Sequence, residues 1–424
     1  MNAALRLGYE GAGQLARALA FFAPSSSNKL LETFALRRGV LDRYESFERD
    51  HSQPLLWMHA PSVGEGLQAR PVIDLLSERR PEVQLAYTFF SPSARQLAAK
   101  MPVDFVDVLP FDATQDMRRA LAALSPNALV FSKLDLWPTL AREAAVRGTR
   151  LGIVSATLAR GSSRRSGIAS ALLRDAYARL DLVGAISADD ADRLIALGVP
   201  AQRIRITGDA RYDQVWARAR SIDRASSLLS RLTSERPTLV AGSTWPADES
   251  VLLPAWSRVT AGAPAARLII APHEPTHQHL APIERWASHS KLRLARLGEA
   301  DAAEADVILE DRLGVLGDLY ALATAAFVGG GFHEAGLHSV LEPAAYGVPV
   351  VFGPRHAASR DAQMLLDADA AVSATNIQTL ADTVQRFLRS ASDRRAAGDA
   401  ALRVVHLGLG AAERSYEIVA ELLG

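Results

Sequence analysis

AAFVGGGFHEAGLHSVLEPAAYGVPVVFGP, residues 325–354, is the stretch whose reading decides the fold. An unbroken apolar run, 325–328, meets three glycines, Gly329 to Gly331, and then a polar turn carrying His333 and Glu334. A helix start is expected near His338 and Ser339, followed by Glu342-Pro343 and a second apolar run at 348–352. Apolar runs without alternation are strands covered on both faces, and a helix between them makes the pair parallel. In such a unit the crevice at the carboxyl end of the first strand is lined by glycine backbone and a helix N-terminus. Anionic phosphates bind in such places.

The same alternation extends in both directions. Strands are expected at 55–59, 84–89, 128–132, 150–154, 182–186 and 203–207, with helices at 66–79, 91–99, 137–147, 168–180 and 189–197. After Gly208 an Arg- and Ser-rich segment, 210–236, carries no strand. The alternation then restarts with strands at 238–241, 267–270, 307–309, 325–328, 348–352 and 370–372, and the chain closes with helices at 380–389 and 413–423. The expected fold class is therefore α/β, with two doubly wound Rossmann-like domains facing each other across a cleft, the two-domain glycosyltransferase (GT-B) outline that dehydrogenase-like proteins and epimerases also fit. The expected boundaries are 1–29 for an N-terminal amphipathic helix, 30–214 for a first Rossmann-like domain, and 215–424 for a second with the closing helices, the pair that the family resemblance named below implies to be an acceptor-binding and a nucleotide-sugar-binding domain.

Bulk composition narrows the function. A chain of 424 residues is long enough for two ordinary cores. Lys plus Arg and Asp plus Glu each total 47, so no global basic field attracts nucleic acid and any anion has to be held locally. The absence of cysteine excludes disulfides and thiolate metal sites. At the N-terminus, Leu5, Tyr9, Ala12, Ala16 and Leu19 recur at helical spacing opposite Arg6, Glu10, Gln14 and Arg17. These charges rule out a spanning helix there. Such a helix either docks on its own domain or lies on a membrane or lipid surface, and Phe21, Phe22, Pro24 and three serines mark its end.

HAPSVGEG, residues 59–66, closes the first strand and opens the first helix. Gly64 and Gly66 are expected to permit a tight turn, with Ser62 beside them. The Glu65 carboxylate suits a general base on an acceptor hydroxyl, and equally suits the positive end of a helix. Further motifs follow in order: LDLWP at 134–138, TGDARYD at 207–213, AGSTWPADE at 241–249, GVLGDLYALATAAFVGGGF at 314–332 and HSVLEPAAYGVPVVFGP at 338–354. Together with HAPSVGE at 59–65 they resemble the 3-deoxy-D-manno-octulosonic acid (Kdo) transferases, from about Leu30 to the C-terminus.

That resemblance implies transfer of Kdo from CMP-Kdo to a hydroxyl of the lipid A precursor in lipopolysaccharide biosynthesis, with inversion at the anomeric carbon. It implies no metal and no cofactor, and its lipid acceptor implies a peripheral protein at the cytoplasmic face of the inner membrane, or a cytoplasmic one. Glu65 matches the proposed base. Gly242, Ser243 and Thr244 match the loop after the first strand of the donor domain, and Gly331, His338 and Glu342 match its nucleotide segment. Gly314, Gly330 and Ser339 complete the expected donor site. Backbone N–H groups around 330–339 would hold the leaving phosphate, and Glu342 would accept from ribose hydroxyls or serve the helix N-terminus. Trp57, Phe89 and Phe90 are apolar candidates near the acceptor side, or core residues.

The chain also departs from the family pattern. Lys133-Leu134-Asp135 stands where Glu-x-Glu is usual, and Lys133 either pairs with an anionic substrate group or is solvated. Pro272-His273-Glu274-Pro275 replaces Pro-Arg-His-Pro, putting a titratable histidine where an arginine is expected. Leu337 and Ser339 replace glycine and asparagine around His338, and Ser155 and Thr157 replace the asparagine and arginine of an Asn-Ala-Arg-Leu motif. These changes keep open another nucleotide sugar, a sugar epimerase, or a nucleotide-sugar-binding protein without turnover. His273-Glu274-Pro275-Thr276-His277 matches the zinc-protease pattern, but Pro272 and Pro275 break the helix that this chemistry needs. Asp367 and Asp369 read as solvated carboxylates.

Overall fold

Strands that are apolar at consecutive positions need cover on both faces, and the sequence supplies a helix after nearly every strand. The computed structural model describes residues 3–22, 29–159, 162, 164 and 167–424, and arranges them as two seven-stranded sheets. The first contains β1 (Leu55–His59), β2 (Gln84–Phe89), β3 (Phe105–Val108), β4 (Ala128–Ser132), β5 (Arg150–Ala156), β6 (Leu182–Ala185) and β7 (Ile204–Ile206), in the order β3-β2-β1-β4-β5-β6-β7. The second contains β8 (Thr238–Thr244), β9 (Arg267–Pro272), β10 (Leu294–Arg296), β11 (Val307–Leu309), β12 (Ala325–Val328), β13 (Val350–Phe352) and β14 (Ala371–Ser373), in the order β10-β11-β9-β8-β12-β13-β14. Every described pairing is parallel. Both sheets are thus doubly wound, and the winding reverses between β1 and β4 in one and between β8 and β12 in the other. Ligands of such sheets sit beyond the carboxyl ends of the strands at this reversal.

The chain divides into two compact units, residues 1–214 with 408–424, and residues 215–407. The closing helix Ala411–Leu423 therefore belongs to the first unit, not to the second as its sequence position suggested. Ile418, Val419 and Leu422 are buried in the core of the first sheet, and Gly152 on β5 leaves the room that Leu422 fills. Asp213 caps this helix, accepting from the N–H groups of Gly410 at 2.7 Å and Ala412 at 2.9 Å.

The N-terminal helix, Ala3–Phe22, docks on its own unit. The Tyr9 hydroxyl donates to Asp112 at 2.9 Å, Arg17 pairs with Asp116 at 3.1 Å, and Gly13 lies against Ala113. Leu15 stays exposed. The stop signal at Pro24 and the serines after it lies outside the described residues. Among the described residues, no helix is long and apolar enough to cross a membrane.

Several elements differ from expectation. β3 and β10 are additional strands, and the helices Thr114–Leu124 and Ala391–Gly408 are additional too. The helix expected from His338 is a loop, and only Leu341–Ala345 is helical, closed by Gly347 at φ +68°. β13 begins at Val350 because Pro349 has no N–H to give to the ladder. Trp57 and Phe89 are core residues, with Trp57 paired opposite Ala86 and Leu129.

Candidate active site

The carboxyl end of β1 reaches the switch point of the first sheet with His59, which is fully buried. Trp137 Nε1 donates to His59 Nε2 at 3.1 Å, and because an indole N–H only donates, the imidazole proton sits on Nδ1. Nδ1 faces the Thr88 hydroxyl at 2.9 Å, which also accepts from Trp57 Nε1. Burial, reinforced by the charge of Arg37, pushes the His59 pKa down to about 3. His59 is a neutral fixture that locks β1 to β2 and to Trp137, whose indole stacks on Phe90 at 4.9 Å.

Glu65 lies in the first turn of the helix Val63–Arg79. Ser62, at the N-cap, directs its hydroxyl to Glu65 Oε2 and not to a helix N–H. Lys133 Nζ lies 2.9 Å from Glu65 Oε1, and the Ser132 hydroxyl donates to the Glu65 carbonyl at 2.9 Å. Burial pushes the Glu65 carboxyl up, but the Ser62 hydroxyl and the Lys133 ammonium outweigh it and leave the group below its ordinary range. Lys133, expected either on substrate or in water, is thus bound to Glu65. Asp135 pairs instead with Arg164 at 3.1 Å, and burial raises its carboxyl. Gly64 and Gly66 do not make a tight turn, since both lie inside the helix. A Cβ on Gly64 would meet only the Ser62 hydroxyl, in ordinary contact at 3.9 Å, whereas one on Gly66 would stand 2.7 Å from Leu97 and from the Tyr87 hydroxyl.

In the second sheet the switch point lies between the ends of β8 and β12. Gly329 packs on Ser243 and Thr244, and Gly331 on Gly353, so closely that any Cβ would collide with backbone at 2.2 Å and 2.4 Å respectively. Gly242 makes room for the Tyr320 hydroxyl and Leu316. Ser243 adopts φ +53°, unusual for a residue with a side chain. Thr244 donates to Glu249 at 2.9 Å.

A residue that the sequence reading passed over organises this loop. Asp248 is fully buried, and its carboxylate accepts from the N–H groups of Gly330 at 2.7 Å, Trp245 at 2.9 Å and Phe332 at 3.0 Å. The Gly330 N–H, expected to face a phosphate, is therefore taken by Asp248. The His338 N–H likewise donates to Gly329 O at 3.0 Å. The N–H groups of Ser339 and Val340 have no protein acceptor among the described residues. The helix that follows, with five residues, adds little dipole.

Trp245 gathers three imidazoles. Its ring stacks on His333 at 4.2 Å and on His273 at 4.5 Å, and its Nε1 donates to His338 Nε2 at 3.0 Å. That bond places the His338 proton on Nδ1. Burial, with the neighbouring His273 and His333, lowers the His338 pKa to about 4, and burial lowers that of His273. His273 precedes the helix His277–His289, so the two histidines of the zinc-like pattern do not share a helix face. Among the described residues, no three His, Asp or Glu side chains form a group fit to hold a metal ion.

The structure unites Gly242, Ser243, Thr244, His273, Gly330, Gly331 and His338 around this stack. Glu342 is grouped with Arg218 and Asp318, its carboxyl raised by burial and under their opposing influence. Gly314 belongs with that second group, since its carbonyl accepts from Arg218 at 3.3 Å and Arg218 pairs with Asp318 at 3.0 Å. Ser339 is exposed beside His338.

Known proteins agree with this architecture. The family model described as 3-deoxy-D-manno-octulosonic-acid transferase (kdotransferase) matches residues 34–214. A 3-deoxy-D-manno-octulosonic acid transferase of Haemophilus influenzae is 25% identical over 392 residues, covering 90% of this chain and 91% of that one. The protein of the same name from Bordetella pertussis is 28% identical, with 87% of each chain covered. Among solved structures, the UDP-GlcNAc 2-epimerase of Neisseria meningitidis bound to UDP-GlcNAc superposes with a TM-score of 0.64 at 12% identity, over 87% of this chain and 100% of that one. A glycosyltransferase of Rickettsia africae gives a TM-score of 0.60 at 11% identity, over 88% of this chain and 99% of that one. At those identities the two structures share the fold. The family's domain is thus matched in the first unit, and proteins that carry its name align with most of the chain at 25% and 28% identity, so along its length this chain is similar to the 3-deoxy-D-manno-octulosonic acid transferases, which are glycosyltransferases.

Proposed function

We propose that the protein transfers Kdo from CMP-Kdo to a hydroxyl of a lipid A precursor in lipopolysaccharide biosynthesis, with inversion and with Glu65 as general base. The observation that carries the reading is the Glu65 carboxylate, held ionised beyond the carboxyl end of β1 by Ser62 and Lys133. In the reaction, Glu65 takes the proton of the acceptor hydroxyl while that oxygen bonds to the anomeric carbon and the bond from that carbon to the CMP phosphate breaks. Charge builds on the departing phosphate as the sugar gains oxocarbenium character. The N–H groups of Ser339 and Val340, with Nδ1–H of His338, are the donors offered to it. Glu342 accepts from the ribose hydroxyls. Catalysis on this reading is positioning plus fixed dipoles, and no step requires a metal. Peripheral contact with the inner membrane at its cytoplasmic face follows from the acceptor.

A different nucleotide sugar is the second reading, favoured by His273-Glu274 at the place of the family's arginine-histidine pair. Incubation with CMP-Kdo and tetra-acylated lipid A precursor separates the two. Release of CMP with a matching mass gain on the lipid supports the first. Binding of a uridine nucleotide in preference to CMP, with no transfer from CMP-Kdo, supports the second.

A further inference from the structure

We propose that Lys133 is a positioning residue that keeps Glu65 a carboxylate, through the ion pair between Lys133 Nζ and Glu65 Oε1. Its importance for the reaction rests on the reading of Glu65 as base, while the clamp itself does not. The end of β4 grips Glu65 at two points, with the Ser132 hydroxyl on the main-chain carbonyl and the Lys133 ammonium on the side chain, each at 2.9 Å. Lys133 holds φ +67°, a left-handed conformation that residues with a side chain seldom adopt. Its own N–H, donated to Val154 O at 2.9 Å, keeps the backbone there. Strain retained at the exact residue that reaches the carboxylate fits a local role for that reach.

The surroundings explain why a cation is needed. The Glu65 side chain is 15% exposed, so solvation alone supports its charge poorly. The groups that bear on it are Ser62 from the preceding loop, Tyr87 from β2, His59 from β1, and Asp135 beyond β4. Tyr87 and His59 are held neutral, and Asp135 repels a second negative charge. Lys133 is the cation within hydrogen-bond distance of Glu65 among the described residues, and where the family usually carries a carboxylate this chain supplies the opposite charge to its own base.

Two readouts on Lys133→Met, with Lys133→Arg as the rescuing variant, test this. The first is the carboxyl carbon resonance of Glu65 followed through a pH titration in protein labelled at glutamate, with Glu65→Gln giving the assignment. The second is the acid limb of kcat/KM for sugar transfer. In Lys133→Met the carboxyl midpoint is expected about one pH unit or more above wild type, since an opposite charge at this range shifts a carboxylate by roughly 1–3 units, and Lys133→Arg returns it most of the way. The acid limb should move with it. A midpoint that moves while the limb stays fixed leaves the clamp standing and overturns Glu65 as the base. An unmoved midpoint in a variant whose thermal melting matches wild type overturns the proposal. If Lys133→Met fails to fold, Lys133→Gln is titrated in its place under the same criteria.

Discussion

Asp248 shows how much of a loop can hang on one side chain. Three N–H groups, one from Trp245 at the start of its own helix and two from one distant loop, converge on its two oxygens in a fully buried place. Nothing in the one-dimensional pattern announces this, because Asp248 follows Trp245-Pro246 like any acid in a first helical turn, and its partners lie 82 and 84 residues further on. The Trp245 stack was hidden for the same reason, since His273 comes from one loop and His333 and His338 from another. By contrast, Glu65, Gly331 and His338 were legible, because ordered motifs name them without any knowledge of contacts. Asp248→Asn keeps the shape but exchanges one acceptor oxygen for a donor NH2 facing an N–H. The expected cost is about 1–3 kcal/mol, read as a lower melting temperature of the second unit together with a raised KM for the nucleotide-sugar donor. An unchanged donor KM would show that the loop does not depend on this carboxylate.

The glycine run after β12 works as an element, not as a set of free donors. Gly329 and Gly331 let the loop lie directly on the ends of β8 and β13, so the three strand ends and the loop form one layer. Gly331→Ala would place its Cβ 2.4 Å from the Gly353 nitrogen, and backbone cannot rotate away as a side chain can. Overpacking of this kind costs typically about 1–3 kcal/mol. The expected result is loss of CMP affinity, measured by calorimetry, in a protein whose far-ultraviolet circular dichroism is preserved. Wild-type affinity would mean that the layer is dispensable. Element boundaries were least legible where side-chain pattern and backbone demands diverge. β3, at the sheet edge, is buried only at its two ends, Phe105 and Val108, with Val106 exposed and Asp107 half-buried between them, and so lacks the apolar run that marked the central strands. The helix expected from His338 does not form there: His338 gives its N–H to Gly329 within the loop, and helical structure is confined to Leu341–Ala345, before Gly347.

Across the whole chain, the repeated strand–helix alternation made two doubly wound sheets readable, whereas chain return was not. The final helix carries an ordinary amphipathic pattern with no mark of which sheet it serves, and only packing reveals that Ile418, Val419 and Leu422 complete the first core. Burial of each such side chain contributes about 1.5–3 kcal/mol. Truncation after Leu407 is therefore expected to unfold or strongly destabilise the first unit, although its sequence up to Gln214 remains intact. Pulse proteolysis followed by mass mapping would show early cleavage within 1–214 and later cleavage within 215–407. Equal resistance of both units to the full-length level would contradict this placement of the last helix.

The most direct test joins the donor, the acceptor and the base in one assay. Purified wild-type protein and Glu65→Gln are incubated with CMP-Kdo and tetra-acylated lipid A precursor, and CMP release is followed alongside the mass of the lipid. Loss of a general base typically costs about 100-fold to 10,000-fold in rate. The expected result is one Kdo mass or more added by wild type, with a decrease of at least that order in Glu65→Gln at unchanged CMP affinity. Transfer by Glu65→Gln at the wild-type rate would contradict Glu65 as the base, and CMP binding by wild type with no mass added to the lipid would contradict the assigned reaction.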